Sequence, residues 1–383
     1  MNFNTGTERK QNMVVNTLSL SDFRNYEMQA FTFSEGINIF CGDNAQGKTN
    51  ILEAVYLCGT GRSYRGSRDR DMIRFGREEA HVKLNGVKKE IPFRIDMHLK
   101  KSMRKGIAVN SAPIRKTSEL LGMLHLVFFS PEDLQMIKMG PQERRRFVDT
   151  ELCQLNSLYM QQLSEYNHCL MQRNSLLKDL TLHPGYIDTL DIWDEKMILS
   201  GKKIIEARRM FIEEISPVIA DIHLELSKGR EKLKVIYEPN VSEDAMETAF
   251  HKGRDRDLKT KMTGNGPHRD DISFEVSVIE NGIWQEPADM RTFGSQGQQR
   301  TCALSTKLAE IEIIKKKTGE TPVLLLDDVL SELDSGRQNS LLKSIEGIQA
   351  FITCTGLDDF VSHRFHMDRV FMIEKGRAVV SSQ

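Results

Sequence analysis

The stretch GDNAQGKT, Gly42–Thr49, matches the phosphate-binding pattern GxxxxGK[ST] at every required position. The segment before it, Ile37-Asn38-Ile39-Phe40, has the apolar pattern of a short buried strand. The segment after it, NILEAVYLCG, carries apolar residues at helical spacing, namely Ile51, Leu52, Val55 and Tyr56. Because the strand and helix that such a loop requires are both present, a chance glycine turn is a poor explanation for the match.

Each residue type in this loop has a physical role in holding phosphate. Glycines let the backbone fold tightly, and the amides from Asn44 to Thr49 would point inward at a helix N-terminus. Lys48 is expected to reach the β and γ oxygens as a catalytic residue, and the Thr49 hydroxyl is expected to bind Mg²⁺. The predicted ATP site comprises Gly42, Asp43, Asn44, Ala45, Gln46, Gly47, Lys48 and Thr49.

A second strand supplies acidic residues. The apolar run 323–326 leads directly into Asp327 and Asp328, which is the Walker B pattern. We expect Asp327 to bind Mg²⁺, directly or through water, and Asp328 to orient or deprotonate the attacking water. A helix-capping Asp at a strand-to-helix turn explains such a pair equally well in isolation, but not beside a P-loop.

The stretch FGSQGQQR, residues 293–300, precedes a helical run and predicts another anion-binding helix N-terminus. In isolation a glycine-rich connector also explains it, but one triphosphate does not need two such loops from one chain. In ABC-type ATPases such a loop crosses a dimer to the γ-phosphate of the partner, and SELD, 331–334, looks like the D-loop of that class. The residues expected to act in trans are Gly294, Ser295, Gln296, Gly297 and Gln298, with Ser295 as a catalytic residue.

Composition limits the class of protein. The 383 residues suffice for two domains, and 39% apolar with 28% charged residues excludes a mostly disordered chain. The net charge of −1 means that a nucleic-acid partner would have to bind a local patch. No apolar run is long enough to span a membrane. Residues 1–12 lack the pattern of a secretory signal and are expected to form a flexible tail. The six scattered cysteines are expected to be reduced, buried thiols.

The order of patterns predicts a strand-rich head interrupted by a helical arm. Residues 81–110 predict added antiparallel strands, and 124–131 a buried strand. Two long antiparallel helices are expected over 151–180 and 193–222, joined by the turn TLHPGY. Further predictions are a loop and helix over 293–315, a helix over 335–346 and strands over 350–354 and 369–374. The head is assigned to 13–124 and 263–383, and the arm to 125–262.

Together these motifs resemble the RecF family of bacterial DNA replication and repair proteins, which are ABC-type ATPases related to SMC heads. The resemblance spans nearly the whole chain in family order. It rests on FRNY (23–26), GDNAQGKTNILEAVYL (42–57), SYRGSRD (63–69), FSPEDL (129–134), PQERRRFVD (141–149), GPHRDD (266–271), FGSQGQQRT (293–301) and LLLDDVLSELD (324–334).

The resemblance implies an α/β fold: an ABC-type P-loop ATPase head, with a mixed sheet and flanking helices, plus an inserted α-helical arm. It implies ATP-dependent homodimerisation on single-stranded and gapped or duplex DNA, with slow, DNA-stimulated hydrolysis. It further implies RecR and RecO as partners, RecA loading as the outcome, and a cytoplasmic, nucleoid-associated location. Lys48, Thr49, Asp327, Asp328 and Ser295 carry over in the roles given above, and Arg24 matches a basic position near the nucleotide.

Two positions depart from the wider ABC pattern. No Q-loop glutamine is evident, and Glu132 or Asp133 of FSPEDL is a candidate replacement. The switch histidine is also missing, and Thr353-Cys354-Thr355 occupies its place. Sensing of the γ-phosphate therefore cannot be assigned from known motifs.

Two basic clusters are predicted to contact DNA phosphates without reading bases. The first lies within 61–77 and the second on a hairpin-like segment, for which a solvated charged face is a serious alternative. The residues are Arg62, Arg65, Arg68 and Arg70, and then Lys100, Lys101, Arg104 and Lys105. By contrast, Arg144-Arg145-Arg146 fits structural ion pairs at least as well, and the His268–Asp271 segment fits a salt-bridge cluster at a domain junction better than a metal site.

Three other classes share parts of the pattern. A transporter ATPase subunit usually carries a plainer LSGGQ signature, a Q-loop and a shorter insert. An SMC-like bridging ATPase has far longer coiled coils. A nuclease of the overcoming-lysogenization type would need an additional acidic domain, for which the chain has no room. The transporter subunit and the SMC-like ATPase remain the alternatives.

Overall fold

The computed structural model describes residues 13–133, 136–356 and 367–380. The chain divides into two compact units, one formed by residues 1–131 and 311–383, the other by 132–310. The expected tail, residues 1–12, lies outside the described residues. Among the helices that are described, none is both long and apolar enough to cross a membrane.

The first unit contains an antiparallel sheet of six strands. Its strands are ordered β2-β1-β4-β5-β6-β7. They are β1 (Val14–Phe23), β2 (Tyr26–Thr32), β4 (Glu79–Lys88), β5 (Ile91–Lys100), β6 (Gly106–Val109) and β7 (Ala112–Pro113). Side chains alternate between buried and exposed along β4 and β5, because successive residues of a strand point to opposite faces. This confirms the antiparallel strands predicted over 81–110.

The same unit contains a second, mainly parallel sheet of six strands, ordered β16-β15-β3-β14-β13-β8. Only β16 pairs antiparallel. The strands are β3 (Ile37–Cys41), β8 (Leu126–Phe129), β13 (Val323–Asp327), β14 (Ala350–Cys354), β15 (Arg369–Glu374) and β16 (Arg377–Val380). All five residues of β13 are buried, which is why its sequence runs apolar instead of alternating.

The core of the first unit joins the two sheets around helix α1 (Lys48–Thr60). Ile51, Leu52 and Val55 are fully buried there, as their helical spacing predicts. Phe33 and Phe351 make an edge-to-face contact with ring centres 4.7 Å apart. Helix α8 (Ser335–Ser344) completes the described helices of this unit together with the end of α7 (Gln296–Thr318).

The second unit is built from helices and a small sheet. Its helices are α2 (Pro141–Leu155), α3 (Ser157–Asp179), α4 (Thr189–Leu226), α5 (Met246–Thr260), α6 (Met290–Phe293) and the start of α7. Its strands are β9 (Glu231–Glu238), β10 (Asp271–Glu280), β11 (Ile283–Trp284) and β12 (Ala288–Asp289). Helices α3 and α4 pack on each other as the predicted pair.

The first helix of that pair was predicted wrongly as continuous from residue 151. The chain breaks at Asn156, whose side chain accepts hydrogen bonds from the amides of Leu158 (3.0 Å) and Tyr159 (3.1 Å) and so starts a new helix. Residues 151–155 therefore end α2. The second helix is longer than predicted and contains Pro217.

The observed units have boundaries that differ from the predicted ones. Strand β8 lies in the parallel sheet of the first unit, whereas residues 263–310 group with the helices of the second. Long-range pairing explains this grouping, since β10 pairs with β9 along eight residues. Arg144 adds an ion pair of 2.8 Å from α2 to Asp271 at the start of β10.

Buried ion pairs organise the second unit. Arg208 contacts both Asp149 and Asp270 at 2.9 Å, and Arg145 donates to the Asp270 carbonyl oxygen at 2.6 Å. His268 bonds the Tyr166 hydroxyl at 2.8 Å, and burial lowers the pKa of His268 to about 4. These contacts agree with the structural roles expected for 144–146 and 268–271.

Candidate functional site

The P-loop joins β3 to α1 through a backbone that only selected residues can adopt. Gly42 has φ 151° and Gly47 has φ 116°, both in the region that favours glycine. A Cβ atom on Gly47 would lie 2.6 Å from Nδ2 of Asn25. The glycine is therefore required for space as well as for backbone conformation.

Contacts from neighbouring strands and turns hold the loop in this shape. Asn25 Nδ2 donates to the Gln46 carbonyl oxygen at 2.7 Å, and the Tyr26 hydroxyl donates to that of Gly47 at 3.0 Å. The Gln46 side chain accepts a 2.7 Å bond from the amide of Lys375. The loop is thus shaped before any ligand contributes contacts, which lowers the ordering cost of binding.

Lys48 is the first residue of α1 and is buried, with 7% of its surface exposed. Its Nζ donates to the carbonyl oxygens of Gly42 and, at 2.9 Å, Asp43. The ammonium group therefore lies over the loop that surrounds the predicted phosphate position. Carbonyl oxygens can be exchanged for phosphate oxygens, which bind an ammonium more strongly because they carry charge.

The structure brings Thr49 and Asp327 together, although 278 residues separate them in sequence. The Thr49 hydroxyl donates to Oδ1 of Asp327 at 2.9 Å. Strands β3 and β13 flank β14 in one parallel sheet, so the residues after these strands meet at the same edge. A hydroxyl and a carboxylate are hard oxygen donors of the kind that Mg²⁺ prefers, so this pair fits the predicted ion.

Two further hydroxyl groups fix the Asp327 carboxylate. Thr353, at the end of β14, donates to Oδ1 at 2.8 Å. Tyr64 donates to Oδ2 at 3.0 Å, and its ring packs on that of Phe128 with centres 4.0 Å apart. Burial raises the pKa of Tyr64, and the charge of Asp327 raises it further, so the phenol stays a proton donor.

Asp328 adopts a left-handed backbone conformation with φ 54°, which costs energy for a residue other than glycine. Its amide donates to the Thr353 hydroxyl at 2.9 Å. Burial raises the pKa of the Asp328 carboxyl; Lys48 opposes this shift and Asp327 adds to it. The charge of Lys48 therefore acts on the Asp328 carboxyl group.

Arg24 is held by ion pairing. Its Nε and Nη2 bind the two oxygens of Glu53 at 2.8 and 2.7 Å. Glu53 is fully buried on α1 and also accepts a 2.5 Å bond from Ser63. These contacts join the FRNY segment, α1 and the arginine-rich segment beside the P-loop, and they leave a direct nucleotide contact by Arg24 as a prediction.

The segment 293–300, the signature loop, forms the capped start of α7. The Ser295 amide donates to Oε1 of Gln298 at 2.8 Å, and the Gln298 amide donates to Oγ of Ser295 at 3.2 Å. This reciprocal arrangement is a capping box. Gln299 Nε2 donates to the carbonyl oxygens of Met290 and Gly294, both at 3.1 Å. Gly294 has no room for a Cβ atom because the Met290 carbonyl oxygen is too close.

The two predicted basic clusters lie side by side. Lys105 Nζ is 2.7 Å from Asp69, and Lys101 Nζ is 2.8 Å from Glu78. Arg65 lies 4.0 Å from Glu53, and Arg70 lies 3.6 Å from Asp71. Three exposed arginines have no ion pair within the described ranges: Arg62, Arg68 and Arg104. Much of the positive charge in this region is thus offset locally.

The candidate for the missing Q-loop residue lies in the second unit. Asp133 is 3.4 Å from Nζ of Lys307, a buried lysine on α7. Thr353, in the place of the missing switch histidine, contacts Asp327 and Asp328. In the sequence, Thr353 is visible only as a departure from the switch histidine, and Tyr64 is not among the predicted site residues. The signal for Tyr64 was its place inside the SYRGSRD motif.

Comparison with known proteins places this geometry in a family. A model of the RecF/RecN/SMC N-terminal domain matches residues 14–378. The DNA replication and repair protein RecF of Agathobacter rectalis is 53% identical over 368 residues, covering 96% of this chain and 99% of that protein. The protein of the same name from Lachnospira eligens is 52% identical over 369 residues, covering 96% and 99%.

Solved structures agree on the fold. The recombination mediator protein RecF-ATP of the RecFOR pathway superimposes with a TM-score of 0.88 at 36% identity, covering 98% of this chain and 100% of that chain. An SMC head domain from Pyrococcus furiosus, at 18% identity and TM-score 0.55 over 97% and 96%, shares the fold alone. The predicted fold class, an ABC-type ATPase head with helices inserted, is confirmed. The chain belongs to the RecF family of DNA replication and repair proteins.

Proposed function

We propose that the protein is an ATP-dependent DNA-binding clamp of recombinational repair and replication restart. The observation that carries the proposal is the 2.9 Å bond from Thr49 to Asp327, which unites the P-loop and Walker B motifs. Relatives named for DNA replication and repair support the biological role. A similar RecF chain described with ATP supports the choice of nucleotide.

The nucleotide is proposed to bind with its phosphates in the loop 42–49. Lys48 exchanges the carbonyl oxygens of Gly42 and Asp43 for β and γ oxygens of ATP. Thr49 and Asp327 would hold Mg²⁺, which supplies positive charge to the phosphates when bound. Tyr64 and Thr353 keep the Asp327 carboxylate oriented, so that no energy is spent on reorganising it during the reaction.

Asp328 is proposed to orient the attacking water and to accept its proton. A raised carboxyl pKa makes this group a better proton acceptor than an ordinary aspartate. The constrained backbone at φ 54° keeps the carboxylate in place. Hydrolysis is proposed to be slow and stimulated by DNA.

Ser295 is proposed to act on ATP bound by a second copy of the chain. Its amide and hydroxyl lie at the N-terminus of α7, where the helix dipole favours an anion. The capping box keeps the loop in shape until a γ-phosphate of the partner offers a better acceptor for the N-terminal amides. ATP therefore links two subunits, and its hydrolysis releases them.

DNA is proposed to bind across the adjoining basic clusters, through its phosphates. Arg62, Arg68 and Arg104 contribute most, because they do not have to break an ion pair within the described region. RecO and RecR are proposed as partners, on the strength of the RecFOR pathway named for the similar structure, with RecA loading as the result.

The test is the salt dependence of gapped-DNA binding with a non-hydrolysable ATP analogue. The variant Arg62→Gln/Arg68→Gln/Arg104→Gln is expected to weaken binding and to reduce the slope of log K against log salt by about 0.9 for each lost phosphate contact. The control removes three exposed lysines elsewhere, Lys252, Lys259 and Lys343. Equal slopes for both variants would contradict this DNA footprint.

A further inference from the structure

A histidine pair lies on the exposed face of the antiparallel sheet. His81 of β4 and His98 of β5 are direct cross-strand partners. Their rings stack with centres 4.1 Å apart and planes 23° from parallel. Direct partners on one face have their Cβ atoms close together, so the strand register keeps the two side chains adjacent.

A carboxylate lies beside the pair. Glu79 is two residues before His81 and therefore shares its face of β4. One oxygen is 2.8 Å from Nε2 of His98, and the other is 3.8 Å from Nε2 of His81. Each residue offers one ligand atom, and the three atoms lie within 4.8 Å of one another.

This spacing suits a small divalent ion. Zinc–ligand bonds of about 2.0–2.1 Å place tetrahedral ligands about 3.4 Å apart. The observed separations bracket that value, and rotation of the exposed side chains, 33% to 55% accessible, can close the difference. Two imidazoles and one carboxylate form a ligand set that zinc uses when it keeps an open fourth position, whereas Mg²⁺ prefers oxygen ligands alone.

Neighbouring charges set the affinity. The exposed Glu79 carboxylate lies 2.8 Å from Nε2 of His98, and both groups are ligands that zinc accepts. Lys100 faces Glu79 across the strands and opposes a bound cation. Ser21 faces His81 from β1. The next pair on the same face is Lys83 with Asp96, and the Asp96 carboxylate is paired with Arg94.

We propose that Glu79, His81 and His98 bind a divalent transition-metal ion of the zinc class on the exposed face of this sheet. The site is separate from the Mg²⁺ ligands Thr49 and Asp327 and does not depend on nucleotide. Its open position faces solvent, so water or a donor from a docking protein can complete the coordination.

The experiment is zinc titration of the untagged full-length protein by calorimetry, in excess Mg²⁺. Wild type is expected to bind one more zinc equivalent than His81→Ala/His98→Ala. Glu79→Gln is expected to weaken that site by more than about tenfold, since even outer partners of metal ligands contribute 10–100-fold. Glu79→His, which keeps a ligand, should retain binding, and Lys100→Ala should tighten it. His251→Ala, an exposed histidine on α5, is the control.

Two results would overturn the proposal. One is an unchanged zinc stoichiometry in the double histidine variant. The other is a cobalt spectrum dominated by thiolate charge transfer, which would assign the bound metal to cysteines. All three positions are on the solvent face, so the variants are expected to fold, and their melting temperatures in chelator check this.

Discussion

The P-loop and the signature loop both lie at the start of a helix, but their surroundings differ. The P-loop has a buried lysine, a hydroxyl bonded to an acid 278 residues away and three neighbours that fix its backbone. The signature loop is held by its own residues, through the Ser295–Gln298 box and Gln299. The first loop is thus shaped by long-range contacts into the proposed phosphate site, whereas the second is shaped by local contacts and is proposed to act on ATP bound by another copy of the chain.

The largest expected effect is that of replacing Lys48, the buried lysine of the P-loop. Lys48→Ala removes the only cation among the residues 42–49 and is expected to reduce ATP hydrolysis by about 100-fold or more, with loss of ATP binding. Fluorescent-nucleotide titration and phosphate release measure both quantities. Lys343→Ala on the exposed face of α8 is the control. If Lys48→Ala still bound nucleotide, the buried lysine would not distinguish the P-loop from the signature loop, and the comparison would be wrong.

Ser295→Ala is expected to have an intermediate effect of a different kind. The variant should bind ATP as wild type does, yet lose about tenfold or more in hydrolysis and lose the dependence of that rate on protein concentration. Removal of the cap also destabilises α7 by about 1 kcal/mol. Asn156→Ala, which removes the cap of α3, controls for that loss. If both variants lower hydrolysis alike, Ser295 acts only as a cap.

Tyr64→Phe tests whether the Tyr64 hydroxyl is needed to hold the Asp327 carboxylate beside the P-loop. It removes one hydrogen bond to the Asp327 carboxylate, worth about 1 kcal/mol, so hydrolysis should fall roughly fivefold. Initial rates at saturating ATP measure the change, and Tyr186→Phe, an exposed tyrosine of the second unit, is the control. No change in Tyr64→Phe would mean that Thr49 and Thr353 suffice to hold Asp327.

The smallest expected effect concerns buried carboxylates on or beside α1 and α7, the helices that follow the two loops. On α1, Glu53 is matched by Arg24 and Ser63, whereas Lys307 and Glu310 of α7 lie with Glu151 of α2 in a buried cluster. Burial raises the pKa of Glu151 to about 7, from an ordinary value of 4.5, against the opposing effect of Lys307.

The unfolded chain therefore loses this proton at lower pH than the folded one. The stability contributed by Glu151 is full in acid and is lost as pH rises through about 7. Glu151→Gln does not titrate, so its melting temperature relative to wild type should rise between about pH 5 and pH 8, by about 2–4 °C for each kcal/mol. Glu165→Gln, exposed on α3, should show no such trend. A flat difference for Glu151→Gln would show that Lys307 keeps the carboxylate ionised throughout.

Local patterns predicted the phosphate site and failed for long-range contacts. Gly42–Thr49 and Asp327 could be selected as candidates from the sequence because their residue types and spacing are those that phosphate and metal chemistry requires. The bond from Tyr64 to Asp327 could not be predicted, because the SYRGSRD motif marks Tyr64 without specifying a partner 263 positions away. The break at Asn156 had a visible signal, since asparagine is a preferred helix cap. The grouping of residues 263–310 with 132–262 depends on the pairing of β9 with β10, which periodicity does not reveal.

The most direct test of the clamp is the solution mass of Asp328→Asn, measured by light scattering with and without ATP and Mg²⁺. This variant should bind ATP without hydrolysing it, so its mass should double only when the nucleotide is present. The same variant carrying Ser295→Arg should bind ATP and remain a monomer. An Asp328→Asn protein that binds ATP but never doubles its mass would leave the P-loop site intact and contradict the role in trans of the signature loop.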